Sequence, residues 1–294
     1  MGAVIHSFVA VVNICDWMKG RQMTAFDKTV TFLSIARMIF QLACLINMFL
    51  EICYQDNFLF SAVKRCGDFT ELFSNSCCIW LFTLVVLMFC LKISNIHHSY
   101  FQRLKLIIAQ RIVHLITASV AVSILNTIAF LWIAELIQNR NFTGAYVIDY
   151  TDHNVALQYL YTYTLGNVVP FFIQLTCSIL VIYSLCSHLK RMKGRTNITT
   201  QVDPFYVAIR ASIFCFLNFV LQVIVTVTFV FHYETLGILF SYVTWNFFPT
   251  IHSFYLILCT VKLRNALSSI LKSGKKCLVK DGQSEPNSID LVGQ

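Results

Sequence analysis

Residues 112–137 read IVHLITASVAVSILNTIAFLWIAELI. An α-helix rises 1.5 Å per residue, so about 20 apolar residues cross the hydrocarbon core of a bilayer. This stretch exceeds that length, and its ionisable residues, His114 and Glu135, lie near its ends, where they reach the interface. Five further segments have the same character: 29–53, 72–95, 158–187, 207–232 and 236–261. A seventh, 1–17, is short. It crosses a thinned bilayer, or the natural chain begins further upstream. The 294 residues are 57% hydrophobic and 12% charged, against about 25% charged for an average soluble domain. A water-soluble fold of this size cannot hide so much apolar surface. The expected fold is all-α: a seven-transmembrane helix bundle over 1–277, with a polar tail over 278–294.

The N-terminal stretch does not read as a removable signal, because Lys19 and Arg21 follow its apolar run instead of preceding it. It also lacks the hydroxyl residue that a myristoylation pattern places where His6 stands.

The net charge of +8 has a topological explanation. Of the 22 Lys and Arg, 17 fall in alternate loops and the segment after the last span; Lys64, Arg65 and Arg140 occupy the opposite loops; Arg37 and Lys92 lie within spans. Basic residues stay on the cytoplasmic side. The expected topology is a multi-pass plasma-membrane protein with its N-terminus extracellular and its C-terminus cytoplasmic, and the charge calls for no nucleic acid. Asn141-Phe142-Thr143 is a glycosylation sequon in an expected external loop, so Asn141 is the predicted acceptor. After the last span, residues 263–277 space Leu263, Leu267, Ile270 and Leu271 on one helical face among basic residues. That pattern predicts an amphipathic helix on the cytoplasmic leaflet.

Most of the twelve Cys lie inside apolar runs, where Cys behaves as a small hydrophobe. No Cys-x-x-Cys occurs, and no metal or cofactor set is expected. A bridge among Cys53, Cys66, Cys77 and Cys78 is left open. Enzyme chemistry lacks support: no acidic residue lies mid-span, and no His-Glu-x-x-His, Gly-x-Ser-x-Gly or phosphate-cradling glycine loop is present. A proton-coupled transporter would place carboxylates mid-membrane. A receptor is the leading class.

Ionisable groups inside spans are costly and usually face the bundle interior. Arg37 lies well inside span two, which points to an interhelical role. Lys92 lies near the inner end of span three, within snorkelling reach of the interface. His252 and Ser253 lie in the inner half of span seven, after Pro249, which frees a backbone carbonyl for a nearby polar group. The pair reads first as helix–helix glue.

Several stretches together resemble the type 2 (bitter) taste receptors, a family of seven-helix G-protein-coupled receptors. PTIHSFYLIL from Pro249, followed by Lys262-Leu263-Arg264, is similar to the family's Pro-x-x-His-Ser-Phe-x-Leu-Ile and Lys-Leu-Lys. Trp80, Thr83 and LKISN (Leu91 to Asn95) resemble Trp-x-x-Thr and Leu-Lys-Ile-Ala-Asn. LSIAR ending at Arg37 resembles Leu-Ala-Ile-Ser-Arg, and VVNICDWMKG resembles Val-Asn-x-x-Asp-Trp-x-Lys. SLCSHLKRMK and Asp203-Pro204 continue the order. The family's first-span Gly-Asn appears here as Ile5-His6, and Glu71 stands where the family often has Trp, four residues before Asn75.

The resemblance implies a receptor for small, mostly apolar bitter compounds. They would bind from outside and activate a heterotrimeric, gustducin-like G protein on the cytoplasmic face. Asn75 matches the family's pocket amide. Glu71, Trp80, Tyr163, Asn167, Gln222, Tyr242 and Trp245 are candidates from their outer-half position and chemistry. The expected switch residues are Arg37, Lys92, His252 and Ser253, with the basic loop 188–195. Glu71 either shifts preference toward cationic ligands or is a solvated interfacial carboxylate. The rival readings are a vomeronasal-type pheromone receptor and a seven-helix ligand-gated channel or transporter. Homo- or hetero-oligomers are left open.

Overall fold

The computed structural model describes residues 2–53, 58–93, 99–138, 153–193 and 203–281. Among them the secondary structure is helical throughout, in nine helices: α1 (Gly2–Met18), α2 (Ala25–Cys53), α3 (Phe58–Ile93), α4 (Ser99–Gln110), α5 (Ile112–Gln138), α6 (His153–Lys193), α7 (Asp203–Phe231), α8 (Tyr233–Cys259) and α9 (Val261–Asp281). The seven expected spans correspond to α1, α2, α3, α5, α6, α7 and α8. Ala25–Leu50, Val63–Ile93, Ile112–Ile133 and Gly166–Ser187 are long and apolar enough to cross a membrane; Gly2–Met18 and Ser212–Thr228 are shorter apolar stretches.

Three features differ from the sequence expectation. α3 and α6 extend beyond the predicted spans. Between α3 and α5, where a loop was expected, lies α4, a strongly amphipathic helix. α9 begins at Val261 and runs to Asp281, past the predicted end at 277.

Hydrophobicity sets where helices form, and lipid sets which residues may face outward. Leu42, Ile46, Leu125, Trp132, Phe172 and Leu221 are large apolar side chains on the exterior, as expected where the solvent is hydrocarbon. The interior is the more polar surface: Thr29, Ser34, Ser123, Thr127, Gln174 and Asn218 are buried. Hydroxyls in that interior satisfy themselves along their own helix. Thr29 donates to the Ala25 carbonyl (2.9 Å), Ser34 to Val30 (2.9 Å) and Ser123 to Ser119 (2.8 Å).

Order in the bundle follows chain order. α2 packs between α1 and α3, α3 also touches α5 and α6, α6 packs on α7 and α7 on α8; α8 then closes against α1 and α2. The main core lies between α2 and α3, where Leu33, Phe40, Cys44, Leu81, Phe82 and Val85 meet Phe219 of α7 and Ile257 of α8. A smaller cluster joins Cys90 of α3 to Cys177, Val181 and Leu185 of α6.

α1 ends in a turn that needs positive φ, supplied by Gly20 at +78°. α2 then starts with a capping box. The Asp27 amide donates to Thr24 Oγ1 (3.1 Å), and Asp27 Oδ2 accepts from the Thr24 amide (3.3 Å) and hydroxyl (2.7 Å). At Thr260 the backbone is extended and the chain turns by 90° into α9. The end of the bundle that carries Asp16, Asp27 and this turn is its basic end.

Cys66, Cys77 and Cys78 are free thiols; the Cys53 side chain lies outside those described. Asn141, residues 194–202 and residues 282–294 also lie outside the described residues.

Candidate functional site

Three of the four expected switch residues converge where α2 meets α8. Arg37 is 5% exposed. Its Nη1 donates to the Pro249 carbonyl at 3.3 Å and to Ser253 Oγ at 2.5 Å, and lies 2.9 Å from His252 Nδ1. That geometry assigns His252 the tautomer whose Nδ1 accepts. The carbonyl that receives Arg37 is Pro249's own; the one that Pro249 deprives of its helix donor belongs to Trp245, one turn earlier. The Phe82 ring of α3 backs this joint, with its centroid 5.8 Å from the guanidinium carbon and 4.4 Å, edge-on, from the His252 ring. One turn further along α2, Gln41 donates to Thr250 Oγ1 (3.1 Å). Through Nη1 alone, Arg37 therefore joins two helices whose sequence positions differ by more than 200 residues. Lys92 stands exposed in the last turn of α3, apart from the buried joint.

A second tie, from α6 to α3, is also buried. Gln174 Nε2 donates to Thr83 Oγ1 at 2.8 Å, while Thr83 itself donates to the Ile79 carbonyl at 2.8 Å. Gln174 follows Pro170 by one turn, where α6 lacks a backbone donor.

Below these ties, toward the basic end, lies a cavity of about 100 Å³. Phe82, Val85 and Phe89 of α3, Ser178 of α6, Ser212 and Cys215 of α7, and His252 and Tyr255 of α8 form its walls. It is apolar, with hydroxyls from three helices and one imidazole, the composition of a small-molecule pocket. None of the eight expected ligand residues lines it.

Those eight occupy the other half of the bundle. Asn75, Trp80, Gln222 and Trp245 are half-buried; Glu71 and Asn167 are buried; the side chains of Tyr163 and Tyr242 lie outside those described. Glu71 is 9% exposed and so not a solvated carboxylate. It accepts from Asn47 Nδ2 at 2.6 Å, and the same amide reaches Asp68 Oδ1 at 3.4 Å. Cys44 lies against Glu71 and against Asn246 of α8. The acid thus belongs to an α2–α3 contact near α8. Asn126 of α5 donates to Ser76 of α3 at 3.5 Å.

Ser178, Ser212 and Gln174 carry no ionisable group, and the Tyr255 phenol stays neutral at ordinary pH, so nothing marks these residues out mid-span in the sequence. The signal that could have found them is a polar residue recurring at helical spacing within otherwise apolar α6, as at Gln174 and Ser178.

At the basic end, Lys262 of α9 ties three elements together. Its Nζ donates to Asn13 Oδ1 at 2.8 Å and pairs with Asp16 Oδ2 at 3.1 Å and Asp27 Oδ1 at 3.8 Å. Asp16 also pairs with Arg21 at 3.1 Å. Lys262 is one-third exposed, which limits the strength of each pair. Lys262→Met is expected to lower the thermal midpoint of purified protein by about 2–4 °C, from roughly 1 kcal/mol lost. The gap should narrow in high salt, since exposed pairs are screened. A gap that is absent, or indifferent to salt, removes the electrostatic account.

The family model for taste receptor protein (TAS2R) matches residues 1–275. "Taste receptor type 2 member 117" of Rattus norvegicus is 29% identical over 282 residues, covering 92% of this chain and 87% of that one. "Taste receptor type 2 member 13" of Papio hamadryas is 27% identical over 287 residues, covering 94% and 92%. "Taste receptor type 2 member 7" of Pan troglodytes is 26% identical over 296 residues, covering 94% and 92%. A match running from the first helix into α9, through the Arg37 joint and the Lys262 clasp, assigns the chain: it belongs to the type 2 taste receptor family.

Proposed function

We propose that this chain is a chemosensory receptor that detects small, mostly apolar bitter compounds and activates a heterotrimeric G protein. The carrying observation is the taste receptor match over residues 1–275. The ligand enters from the extracellular side, between α3, α6, α7 and α8, where Asn75, Glu71, Trp80, Tyr163, Asn167, Gln222, Tyr242 and Trp245 lie. The basic end faces the cytoplasm and takes a gustducin-like, inhibitory-type G protein. The placement of 17 of 22 basic residues supports that orientation in the plasma membrane. Asn141 is then external and glycosylated.

A ligand signals only if it binds one of two arrangements better. The Arg37 joint is the element to bias, because it couples α2 to the half-helix beyond Pro249 through directional bonds. Lys92, His252 and Ser253 act with it in the switch.

The test is a calcium-release screen of bitter compounds in cells carrying a chimeric G protein. A surface-expressed receptor silent across a full panel removes the ligand class. Glu71 supplies a sharper measurement. Its carboxylate lies in a largely buried setting, where charge pairing is stronger than in water. Glu71→Gln is expected to weaken amine-bearing agonists about tenfold relative to neutral ones. Equal dose-response shifts for both would assign Glu71 to the α2–α3 contact alone.

A further inference from the structure

We propose that the buried polar cluster of Arg37, His6 and Gln41, where α1, α2 and α8 meet, binds a small monovalent anion of the chloride type.

The first ground is charge. Arg37 cannot deprotonate under ordinary conditions, and it is buried. Its Nη1 partners are a carbonyl, an imidazole and a hydroxyl, all neutral. The buried or partly buried acids of the bundle are engaged elsewhere: Asp16 and Asp27 with Lys262, Asp68 and Glu71 with Asn47. Among the described residues, no carboxylate compensates this guanidinium. An unpaired charge is the costliest thing a membrane interior can hold.

The second ground is a set of orphaned polar atoms. Arg37 Nε, both ring nitrogens of His6 and Gln41 Oε1 are buried with no hydrogen-bond partner among the described residues. His6 is 0% exposed. Buried polar groups normally find partners, so four together call for an explanation.

The third ground is placement. Ser7 Oγ donates to Met38 Sδ at 3.2 Å, which sets the register of α1 on α2 and brings their neighbours His6 and Arg37 level. His6 lies within electrostatic reach of that guanidinium. One turn away on each helix, Gly2 presses so closely on Gln41 and Thr250 that a Cβ at Gly2 would overlap both. Gly2 and His6 on α1, and Arg37 and Gln41 on α2, thus form facing columns with α8 behind them.

Sign decides the occupant. A cation is repelled by Arg37, whereas an anion supplies the missing countercharge. Water alone would serve the orphaned atoms and leave the charge uncompensated. A hydrated halide meets both needs: the ion accepts from Arg37 Nε–H and one His6 N–H, and its water donates to the other His6 nitrogen and to Gln41 Oε1. His252, which touches Arg37, also lines the cavity whose walls reach Phe26 and Thr260 at the basic end.

The test is thermal unfolding of the purified receptor in neutral-lipid nanodiscs. Chloride is titrated against gluconate at constant ionic strength, then bromide and sulfate replace chloride. The expected result is a saturable rise of about 3–6 °C in Tm with chloride or bromide and none with gluconate or sulfate. His6→Leu should raise the half-saturating halide concentration about tenfold, and His6→Gln, which keeps a donor and an acceptor, should restore most of it. Superimposed wild-type curves in chloride and gluconate would mean that water alone serves the cluster and would overturn the proposal. So would a halide effect that His6→Leu leaves unchanged, which would place the ion elsewhere. Neither readout needs an agonist or a G protein, so its failure is separate from failure of the receptor reading.

Discussion

Arg37→Met is expected to reach the cell surface poorly, and the molecules that do arrive should signal at least tenfold less than wild type at matched surface density. Two energetic effects oppose one another. Removing the guanidinium removes the cost of a buried charge. It also strips Ser253 Oγ and His252 Nδ1 of their donor, at about 1–3 kcal/mol for each group left unsatisfied. Those two neighbours can partly serve one another, so the stability loss is expected to be moderate. The loss of coupling is not moderate, because Nη1 joins α2 to the Pro249 carbonyl, His252 and Ser253 at a single point. Met has the length to fill the space and no means to make the joint. Arg37→Lys keeps the charge and loses the planar fork, so it should fall between the two. The measurement is calcium-response amplitude normalised to surface immunostaining. A Met variant that signals normally per surface molecule would assign Arg37 to folding alone.

Phe219→Ala should lower the thermal midpoint by roughly 10 °C, the effect of about 3 kcal/mol in a chain of this size. Phe219 is 2% exposed, and its ring lies 6.2 Å from Phe171 of α6 and 6.5 Å from Phe82 of α3. It is the wedge that seats α7 against both. In lipid the transfer term is small, since acyl chains are as apolar as the core; the cavity and the lost dispersion contacts remain. Leu125 provides the control. It is 67% exposed on the outside of α5, and Leu125→Ala should shift stability by less than about 0.5 kcal/mol. Thermal unfolding of the two variants side by side checks this. Equal shifts would mean that interior packing around Phe219 does not hold the bundle.

The helices were the legible part. Stretches such as 112–137 have one stable destination, because a backbone in hydrocarbon must satisfy its own hydrogen bonds and only a helix does so within one segment. The amphipathic period after residue 262 was equally readable, and α9 follows it. α4 is not legible, because SYFQRLKLIIAQ is short and mixed, and a 12-residue helix draws most of its stability from the surface it lies on. The extensions of α3 and α6 escaped for a related reason: hydropathy marks where a helix meets lipid and says little of where it continues beyond.

The site divides in the same way. Arg37, His252 and Ser253 were singled out from chemistry alone, since a cation and an imidazole in apolar runs need a reason to be there. That they share one joint was a matter of tertiary structure. Glu71 shows the reverse case. Its residue type suggested a ligand contact or a wet carboxylate, and the fold turns it onto Asn47. The inner cavity escaped sequence reasoning altogether, because its walls are ordinary Phe, Val and Ser residues distinguished only by which helices face one another.

Taken by itself, the sequence determined that this protein is a bundle of apolar helices with a basic face, and which family it resembles. Hydropathy and charge are local properties, summed along a few turns, and a bilayer reads them directly. Only the tertiary structure decided that Arg37 would find Ser253 more than 200 residues away, that Lys262 would bind α1 and α2 together, and that His6 would be buried beside a guanidinium. Inside lipid every helix is similarly greasy, so partners are chosen by the shape and by the few directional bonds of the faces that meet, and those meetings are not written in any one segment.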